Sequence, residues 1–392
     1  MQQNRILFVD DEPLTWEHYA TLSRHVGPGY EVVTVSKGQE AIEIMAKKPV
    51  DVVVSDMQMP EMSGPEFLTH VERQHPETMR IVISAYSDQL AIARCLMFGH
   101  RYFQKPLDLA ELAETLKRVC QLKQTIRNDK VTKIIGGTSA LPSPPETYLK
   151  LTEALDTPAT SIEDLAEIIS VDPGLTAKLL QIVNSAQFGM ARRISTAFEA
   201  VQYAGVDVLR ALMLGLQALR QFESKKPRSV SLSELWGHML DTAVGARMIA
   251  EEEKLDFNEA QECFVAGLLH DVGKLILAAN ADKEYEKVVR KSRNEKIPIH
   301  QIEQEVFGAT HADVGGYLLG LWGLPEPIVR SVELHHTLQL VTEEGFSYLV
   351  AVHAAQNLVK SSFKRVGDLD MAFLKRVKMA DRVDAWRKML QP

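Results

Sequence analysis

Residues 50–60 read VDVVVSDMQMP, a short β-branched run that ends in an aspartate and is soon followed by a proline. Similar, nearly uninterrupted apolar runs recur through the N-terminal third, and helical stretches separate them. The five runs are residues 5–9, 32–35, 50–55, 81–84 and 102–104. This alternation is typical of a parallel sheet with helices on both faces. We therefore predict an α/β doubly wound fold with a parallel five-stranded sheet.

Charged side chains follow the ends of these predicted strands. Asp10 and Asp11 follow the first strand, Asp56 follows the third and Lys105 follows the fifth. The carboxyl ends of parallel strands meet at one edge of a sheet, where ligands collect. Three crowded carboxylates repel one another unless a hard cation binds among them, and Mg²⁺ prefers such oxygen ligands. The set predicts phosphoryl transfer, with Asp56 as the nucleophile that attacks phosphorus.

The same residues carry a resemblance to a known family. Over residues 1–122 the chain resembles the receiver domain of two-component response regulators, which has a flavodoxin-like fold. The matching elements are Asp10-Asp11, DMQMP at residues 56–60 together with Gly64, Ser84-Ala85, Tyr102, and Lys105-Pro106. The match depends on five elements that occur in the right order and at the right strand positions.

The resemblance implies a role for each charged residue. Asp56 would be the phosphoacceptor, and Asp10 and Asp11 would hold Mg²⁺ directly or through water. The backbone carbonyl of Gln58 would complete the metal site, and Lys105 would counter the phosphoryl charge. The alternative for the acidic pair is a solvated loop.

Two further residues would couple the chemistry to a surface. By the same resemblance, Ser84 hydrogen-bonds a phosphoryl oxygen, and Tyr102 changes rotamer when Ser84 moves toward the phosphate. The helix after Ser87 would move with them and alter self-association or contacts with the output. The alternative for Tyr102 is an ordinary core aromatic.

Composition narrows the class of protein and its partners. A chain of 392 residues is long enough for two or three domains. A net charge of −8 gives no electrostatic footprint for nucleic acid, so DNA is not favoured as a partner. Three scattered cysteines fit a reducing cytoplasm, and no apolar stretch reaches the roughly 18 residues of a membrane span. We expect a cytoplasmic protein without a membrane partner.

Apolar periodicity predicts how the domains are joined. Leucine and other aliphatic residues recur at helical spacing from Leu109 to Ile126, so the last helix of the first domain is predicted to continue as a connecting helix. This helix could pair with a second copy to form a homodimer, or pack on its own sheet. Glycine and proline near residues 136–145 mark a boundary. We predict a receiver at 1–122, a helical linker at 123–140, an all-α output domain at 141–360 and its C-terminal helical extension at 361–392.

The second domain resembles the HDOD family, which is related to the HD phosphohydrolases and serves as an output of bacterial signalling proteins. Capping patterns at Ser161 and Asp172 predict two of its helices. The matching segments are LPSPP at 141–145, VDPGL at 171–175, VNSAQFG at 183–189, AGLLHDVGK at 266–274, HADVG at 311–315 and WGLP at 322–325.

Whether this domain is an enzyme stays open at the level of sequence. Imidazoles and a carboxylate suit a divalent metal that activates water for phosphoester hydrolysis. The candidate ligands are His238, His270, Asp271, His311, His335 and His336. Against this, Gln356 occupies the position of the last aspartate ligand of HD hydrolases. Cyclic dinucleotide phosphodiesterases also carry a Glu and a Gly-Tyr-Pro signature after the paired histidines, where this chain reads Thr337-Leu338-Gln339. The alternative is a set of hydrogen-bonded core histidines.

Together these observations predict a response regulator of a bacterial two-component phosphorelay. Asp56 would accept phosphate from a histidine kinase and control an HDOD output that acts mainly through contacts with downstream signalling proteins. The alternative is a receiver-gated, metal-dependent phosphohydrolase similar to cyclic dinucleotide phosphodiesterases.

Overall fold

The computed structural model describes most of the chain. The described residues are 3–12, 19, 21–22, 25–85, 96, 99–126, 128–138, 141, 145–157, 159–184, 193–220, 229–342, 344–359 and 369–391. The predicted motif segments at 142–144 and 185–189, and the segment that begins at Ser87, lie outside the described residues.

The N-terminal domain contains a five-stranded parallel sheet. Its strand order is β2-β1-β3-β4-β5, and every pairing is parallel. The strands are β1 Asn4–Val9, β2 Tyr30–Val35, β3 Val52–Asp56, β4 Met79–Ser84 and β5 Arg101–Gln104. The described helices packed with it are α1 Gly38–Lys47, α2 Gly64–Gln74 and α3 Leu109–Thr125. The predicted fold class is confirmed.

The central strands each carry a run of apolar residues because both faces of the sheet are covered. Val52, Val53 and Val54 of β3 are completely buried, as are Ile81, Val82 and Ile83 of β4. Helix α2 begins with a capping box between Ser63 and Glu66 and has proline in its first turn, which fixes its start directly after the loop from β3.

The rest of the described chain is helical. The helices are α4 Asp129–Gly136, α5 Pro145–Asp156, α6 Ile162–Ser170, α7 Pro173–Val183, α8 Ala197–Arg220, α9 Leu232–Glu252, α10 Phe257–Leu269, α11 Val272–Asn280, α12 Asp282–Glu295, α13 Ile299–Phe307, α14 His311–Leu321, α15 Glu326–Leu334, α16 Tyr348–Leu358, α17 Met371–Arg376 and α18 Val383–Leu390. Short 3₁₀ turns occupy Leu338–Leu340 and Ala380–Arg382.

Helix α9 lies at the centre of the C-terminal domain and packs along both α10 and α16. The predicted helix starts are confirmed, because Ser161 and Asp172 cap α6 and α7 with their side chains. Helix α8 bends at Gly205, whose φ of 75° lies in the left-handed region that favours glycine. No helix among the described residues combines the length and apolar character needed to cross a bilayer.

The segment between the domains differs from the predicted connecting helix. Helix α3 ends at Thr125, and α4 begins after Asn128, which caps it. The apolar face of α3 is buried inside the chain, where Leu112, Leu116 and Val119 are almost inaccessible. Helix α3 packs against α14 of the C-terminal domain. The stripe is therefore covered within the chain, and the helix also contacts the C-terminal domain. The predicted domain boundaries and the homodimer stay predictions.

Candidate phosphoacceptor site and buried histidine cluster

Three carboxylates come together at the carboxyl ends of β1 and β3. One ligand oxygen from each of Asp10, Asp11 and Asp56 lies within 4.8 Å of the others. Asp10 follows β1, and Asp56 is the last residue of β3, so the parallel register brings them to the same edge. The cleft has a volume of about 610 Å³, and its lining includes Asp11, Asp56, Gln58, Ser84 and Lys105. We call it the acidic cleft.

Lys105 joins the two buried carboxylates. Its ammonium lies 2.9 Å from Asp10 Oδ2 and also donates a short hydrogen bond to Asp56 Oδ2. The Tyr19 hydroxyl donates to Asp10 Oδ2 at 2.5 Å, and the Gln58 amide donates to Asp56 Oδ1 at 3.2 Å. These contacts fix both carboxylates, of which Asp56 lines the cleft and Asp10 is completely buried.

Burial and charge act in opposite directions in this cleft. Burial raises the pKa of Asp56, although the hydrogen bond and charge of Lys105 partly offset this rise. Burial also works against the charged form of Lys105, but its bonds to Asp56 and Asp10 raise its pKa overall. The cleft thus combines a partly desolvated carboxylate with an ammonium whose charged form is stabilised by its carboxylate partners.

Ser84 and Tyr102 lie beside this cleft on adjacent strands. Ser84 ends β4 and lines the cleft, and the Tyr102 hydroxyl lies 3.4 Å from the Ser84 carbonyl oxygen, to which it donates. Tyr102 is completely buried. The two residues of the predicted switch are therefore in direct contact.

The donor set of the acidic cleft fits a hard divalent cation. Three carboxylates within 4.8 Å supply more negative charge than the Lys105 ammonium neutralises. Oxygen ligands with an open side to solvent match the preference of Mg²⁺ for carboxylates and several waters. The predicted ligands Asp10, Asp11 and Asp56 are thus chemically suited to the ion.

The six metal-ligand candidates of the C-terminal domain also converge. Every imidazole of the set except that of His336 is almost inaccessible to solvent, as is Asp271. Asp271 lies at the centre: its carboxylate is 3.2 Å from His311 Nε2, 3.4 Å from His270 Nε2, 3.8 Å from His335 Nε2 and 4.0 Å from His238 Nε2. We call His238, His270, Asp271, His311, His335 and His336 the histidine cluster.

Hydrogen bonds at Nδ1 orient the rings of this cluster. His270 and His335 donate from Nδ1 to the carbonyl oxygens of Gly267 and Val332, each at 2.7 Å. His311 Nδ1 lies 2.6 Å from a carboxylate oxygen of Glu303. With Nδ1 engaged in this way, Nε2 of each ring is directed at the centre of the cluster, and in a neutral ring it carries the lone pair that a metal needs. Burial works against the charged form of His311, but Glu303 and Asp271 raise its pKa overall.

Sequence reasoning missed the residues that support these rings. Glu303 is completely buried, accepts from the His311 backbone amide at 2.8 Å and accepts from the Tyr285 hydroxyl at 2.7 Å. Its pKa is lowered, because His311 outweighs the effect of burial. The available signal was that Glu303 lies one turn before Phe307, on the face of α13 that is directed to the core.

The spacing of the ring nitrogens matches metal ligands. His311 Nε2 lies 3.3 Å from His335 Nε2 and 3.1 Å from His336 Nε2. A tetrahedral ion with bonds of about 2.0 Å requires its nitrogen ligands to lie about 3.3 Å apart. Burial lowers the pKa of His335 and of His336 well below the usual value, which keeps both rings in the neutral form that binds metals.

A glycine makes this convergence sterically feasible. A Cβ on Gly273 would lie 1.9 Å from the His311 carbonyl oxygen, so α11 and α14 can approach this closely only without a side chain there. The approach brings His311 against Asp271, which immediately precedes α11. The His-Asp-Val-Gly-Lys sequence thus supplies both a ligand and the close helix contact.

A lysine competes for the central carboxylate. The Lys274 ammonium is buried and donates to Asp271 Oδ2 at 2.6 Å. Burial opposes ionisation of Asp271, but His270 and Lys274 hold its pKa well below the usual range. Gln356 is buried on α16, and its neutral amide adds no charge to the cluster. The cluster therefore contains candidate metal ligands, and one of them, Asp271, is already paired with the Lys274 ammonium.

Basic and polar side chains join the two domains by donating hydrogen bonds to backbone carbonyl oxygens across the contact. Arg80 and His100 of the N-terminal domain donate to the carbonyl oxygen of Gly136, the last residue of α4, at 3.0 Å each. Arg101 Nε donates to the carbonyl oxygen of Leu321, the last residue of α14, at 3.3 Å. Helix C-termini favour positive charge because their last carbonyls are unpaired and the dipole is negative there.

The C-terminal domain donates in the opposite direction. Lys178 on α7 is fully buried, donates to the carbonyl oxygen of Leu96 at 2.7 Å and lies 5.3 Å from the centre of the Trp322 ring. Burial lowers the pKa of Lys178 to about 7. Gln181 donates to the carbonyl oxygen of His100 at 2.8 Å. Gly323 contacts the Arg101 guanidinium so closely that a Cβ there would clash with it.

Comparison with known families agrees with this two-part structure. The family model of the HDOD domain matches residues 141–338, which is half of the chain. The chain belongs to the HDOD family. The model of the response regulator receiver domain matches residues 6–117 of this HDOD protein. The receiver and HDOD resemblances are therefore confirmed, and the combination is that of a two-component response regulator.

Individual relatives of the HDOD protein match only in part. An uncharacterized protein of Treponema pallidum is 28% identical over 60% of this chain and 45% of its own length. The hydrogenase transcriptional regulatory protein HoxA of Cupriavidus necator is 34% identical over 31% of this chain and 25% of its own length. This chain thus spans less than half of either relative.

Solved structures support the fold alone. A virulence factor of Campylobacter jejuni has a TM-score of 0.50 and 20% identity, and the match covers 67% of this chain and 94% of that chain.

Proposed function

We propose that this HDOD protein is a phosphorylation-dependent regulator in which Asp56 accepts a phosphoryl group from a histidine kinase. The single observation that supports this most strongly is the position of Lys105, whose ammonium contacts both Asp10 and Asp56 at the mouth of an open cleft. A permanent cation beside a partly desolvated carboxylate suits an acceptor whose product carries additional negative charge.

The chemistry follows from the contacts of Asp56. One carboxylate oxygen forms the new bond to phosphorus as the bond from phosphorus to the donor breaks, and the donor group leaves with the electron pair. Lys105 is close enough to transfer its hydrogen bond from the carboxylate to a phosphoryl oxygen. Ser84 lines the same cleft and supplies a hydroxyl to a second phosphoryl oxygen.

Magnesium would be held by Asp10, Asp11, Asp56 and the backbone carbonyl of Gln58. Receiver domains generally bind this ion. When bound, it neutralises carboxylate and phosphoryl oxygens that would otherwise repel one another. The residues of the chain then have the tasks of binding the phosphoryl group and orienting it.

The signal would reach the output through β5. Tyr102, which contacts Ser84, directly follows Arg101, which donates to the end of α14 in the HDOD domain. A shift of Tyr102 toward the cleft would therefore disturb the Arg101 contact one residue away. The phosphoryl group switches the population only as far as it binds one arrangement more tightly than the other.

The output is proposed to act mainly through protein contacts. Closure of the histidine cluster supports this, because His270 and Asp271 are 0% and 1% exposed and offer a substrate phosphate no direct approach. Pairing of Lys274 with Asp271 supports it further, since the ammonium occupies a carboxylate oxygen that a metal would need.

A second candidate is a metal-dependent phosphohydrolase, and the ring spacing in the histidine cluster favours it. His311 Nε2 lies at the separations expected of ligands to one ion from both His335 Nε2 and His336 Nε2, and ligand atoms of all three residues lie within 4.8 Å of one another. A bound metal would supply Lewis acidity and an activated water. His336 is partly exposed, so it marks the side from which the cluster could open.

Two experiments separate these functions. Beryllofluoride with Mg²⁺ should bind the native protein and fail to bind Asp56→Asn, and equal binding to both would contradict the acceptor assignment. Elemental analysis with hydrolysis assays on cyclic dinucleotides, with and without Mn²⁺, tests the output. Stoichiometric metal, together with turnover that His270→Ala abolishes, would show that the output is a hydrolase and would contradict an output that acts mainly through protein contacts.

A further inference from the structure

A groove on the C-terminal domain differs in composition from the acidic cleft and from the histidine cluster. It lies between α6, the first turn of α7, the start of α8 and α10, and its volume is about 530 Å³. Ala166, Thr176 and Val265 are buried in its lining, while Phe198 and Phe257 are 44% and 74% exposed. Such a volume is within the usual range of ligand pockets.

Exposed apolar side chains line this groove and also occur on two of the helices that form it. Besides Phe198 and Phe257, the large hydrophobic residues Ile162, Val171 and Tyr203 are substantially exposed at or next to α6 and on α8. These five account for half of the ten exposed large hydrophobic residues in the described part of the chain. Exposed aromatic side chains that line a groove, with carboxylates beside them, mark an interaction site more often than singly scattered exposed residues do.

The rim carries one sign of charge. Glu163, Glu167 and Glu199 line the groove, and its lining among the described residues contains no lysine, arginine or histidine. Glu163 and Glu167 are one helical turn apart on α6, so both carboxylates lie on the same side of the opening. A ligand with phosphate groups would be repelled, whereas a basic ligand would be attracted.

We propose that this groove binds an amphipathic helix of a partner protein, with apolar side chains against Phe198 and Phe257 and lysine or arginine facing Glu163 and Glu167. A helix that places its apolar face in a groove is a recurrent mode of peptide recognition. A second copy of the chain is disfavoured as the occupant, because a protein of net charge −8 approaches an acidic groove against repulsion. The proposal deepens the proposed function by naming the chemistry of the output partner, and it rests on that function.

The test uses the full-length protein and defined peptides. Fluorescence anisotropy measures binding of a labelled Leu/Lys amphipathic helix, a scrambled peptide of the same composition and a Leu/Glu helix. The Leu/Lys helix should bind at least about ten-fold more tightly than either of the others. Equal affinity for the Leu/Lys helix and its scrambled form would overturn the proposal.

Two pairs of variants locate the binding site. Phe257→Ser should raise the Kd of the Leu/Lys helix by about ten-fold or more, whereas Leu340→Ser, at a side chain that is 63% exposed elsewhere, should leave it unchanged. The double variant Glu163→Gln/Glu167→Gln should weaken binding and reduce its dependence on salt, and Glu40→Gln/Glu43→Gln on α1 should do neither. Native affinity in Phe257→Ser would overturn the proposal.

Self-association and phosphorylation are measured on the same variant. Sedimentation of the native protein and Phe257→Ser tests self-association, and a dimer that Phe257→Ser dissociates would assign the groove to a second copy and overturn the proposal. Phosphorylation of Asp56 should be the same in Phe257→Ser and in the native protein. Phosphorylation without peptide binding would defeat this inference alone, whereas peptide binding without phosphorylation would defeat the acceptor role alone.

Discussion

The acidic cleft and the histidine cluster are both groups of metal-ligating side chains, yet they are built for opposite degrees of access. Asp56 is at the end of a strand in an open cleft of about 610 Å³, whereas His270 is 0% exposed. In the cleft, the Lys105 ammonium pairs with two of the three carboxylates and leaves excess negative charge. In the cluster, Glu303 and two backbone carbonyls orient the rings from outside. An open site suits exchange with another protein, and a closed, oriented site suits retention of an ion.

The largest effect should come from filling the close helix contact beneath the histidine cluster. Gly273→Ala places a Cβ 1.9 Å from the His311 carbonyl oxygen, so α11 and α14 must separate. We expect urea denaturation to show a loss of about 4 kcal/mol or more in the free energy of unfolding. Gly237→Ala is the matched control, because nothing lies within 4 Å of its Cβ. A Gly273→Ala protein as stable as Gly237→Ala would contradict the close contact.

The next largest effect concerns the orientation of the cluster. Glu303→Gln keeps the size of the side chain but removes the charge that holds His311 Nδ1. Equilibrium dialysis with Zn²⁺ should show about a 10- to 100-fold loss of affinity. Glu305→Gln, on the same helix but paired with Lys291 at the surface, should retain native affinity. If neither the native protein nor Glu305→Gln binds Zn²⁺, the cluster is a set of core histidines and the comparison fails.

The third largest effect concerns the contact between the N-terminal and C-terminal domains. Arg101→Met removes a buried guanidinium from the carbonyl of Leu321 and from the Thr115 hydroxyl. The free energy of unfolding should fall by about 2–3 kcal/mol, because the acceptors lose charged hydrogen-bond donors. The exposed Arg73→Met on α2 serves as the control and should change it by less than about 0.5 kcal/mol. Equal stability of the two variants would mean that Arg101 does not help to join the domains.

The smallest effect is the pH dependence of the acidic cleft. Because burial raises the pKa of Asp56, the folded protein binds that proton more tightly than the unfolded chain does. The contribution of this bound proton to the free energy of unfolding is fully present below the ordinary carboxyl pKa. It is lost as the pH rises through the raised pKa of Asp56. Thermal unfolding without divalent metal should therefore show that Asp56→Asn gains stability relative to the native protein as the pH rises from about 4. A constant difference between the two would contradict the raised pKa.

The acidic cleft was more accessible to sequence reasoning than the histidine cluster. Strand ends of a parallel sheet meet by construction, so Asp10, Asp56 and Lys105 could be placed together from the apolar runs that precede them. The contacts of Tyr19 with Asp10 depend on a tertiary approach for which those runs give no register. The roles of Asp10, Asp56 and Lys105 as residues of a phosphoacceptor site stay predictions.

The supports of the histidine cluster and the domain contacts needed the structure. His270 and Asp271 could be named from their motif, but Glu303 belongs to a helix that reads as an ordinary amphipathic segment. Arg80 and Arg101 lie inside strands and are buried. A buried arginine requires a hydrogen-bonding partner, but the sequence does not identify that partner. The apolar stripe of α3 predicted a helix correctly, while the contact of this helix with α14, far along the sequence, was not predicted. Periodicity identifies a face to be covered but does not identify the surface that covers it.

The central claim is that Asp56 carries the phosphoryl group. Incubation with acetyl phosphate and Mg²⁺, followed by intact-mass spectrometry and peptide mapping, tests this claim in the native protein, Asp56→Asn and Asp108→Asn. Asp108 is a helix cap that asparagine can replace, so its variant is a folded control with the same chemical change. One phosphoryl group should appear on the native protein and on Asp108→Asn, and none on Asp56→Asn. An adduct on Asp56→Asn, or none on the native protein, would contradict the account.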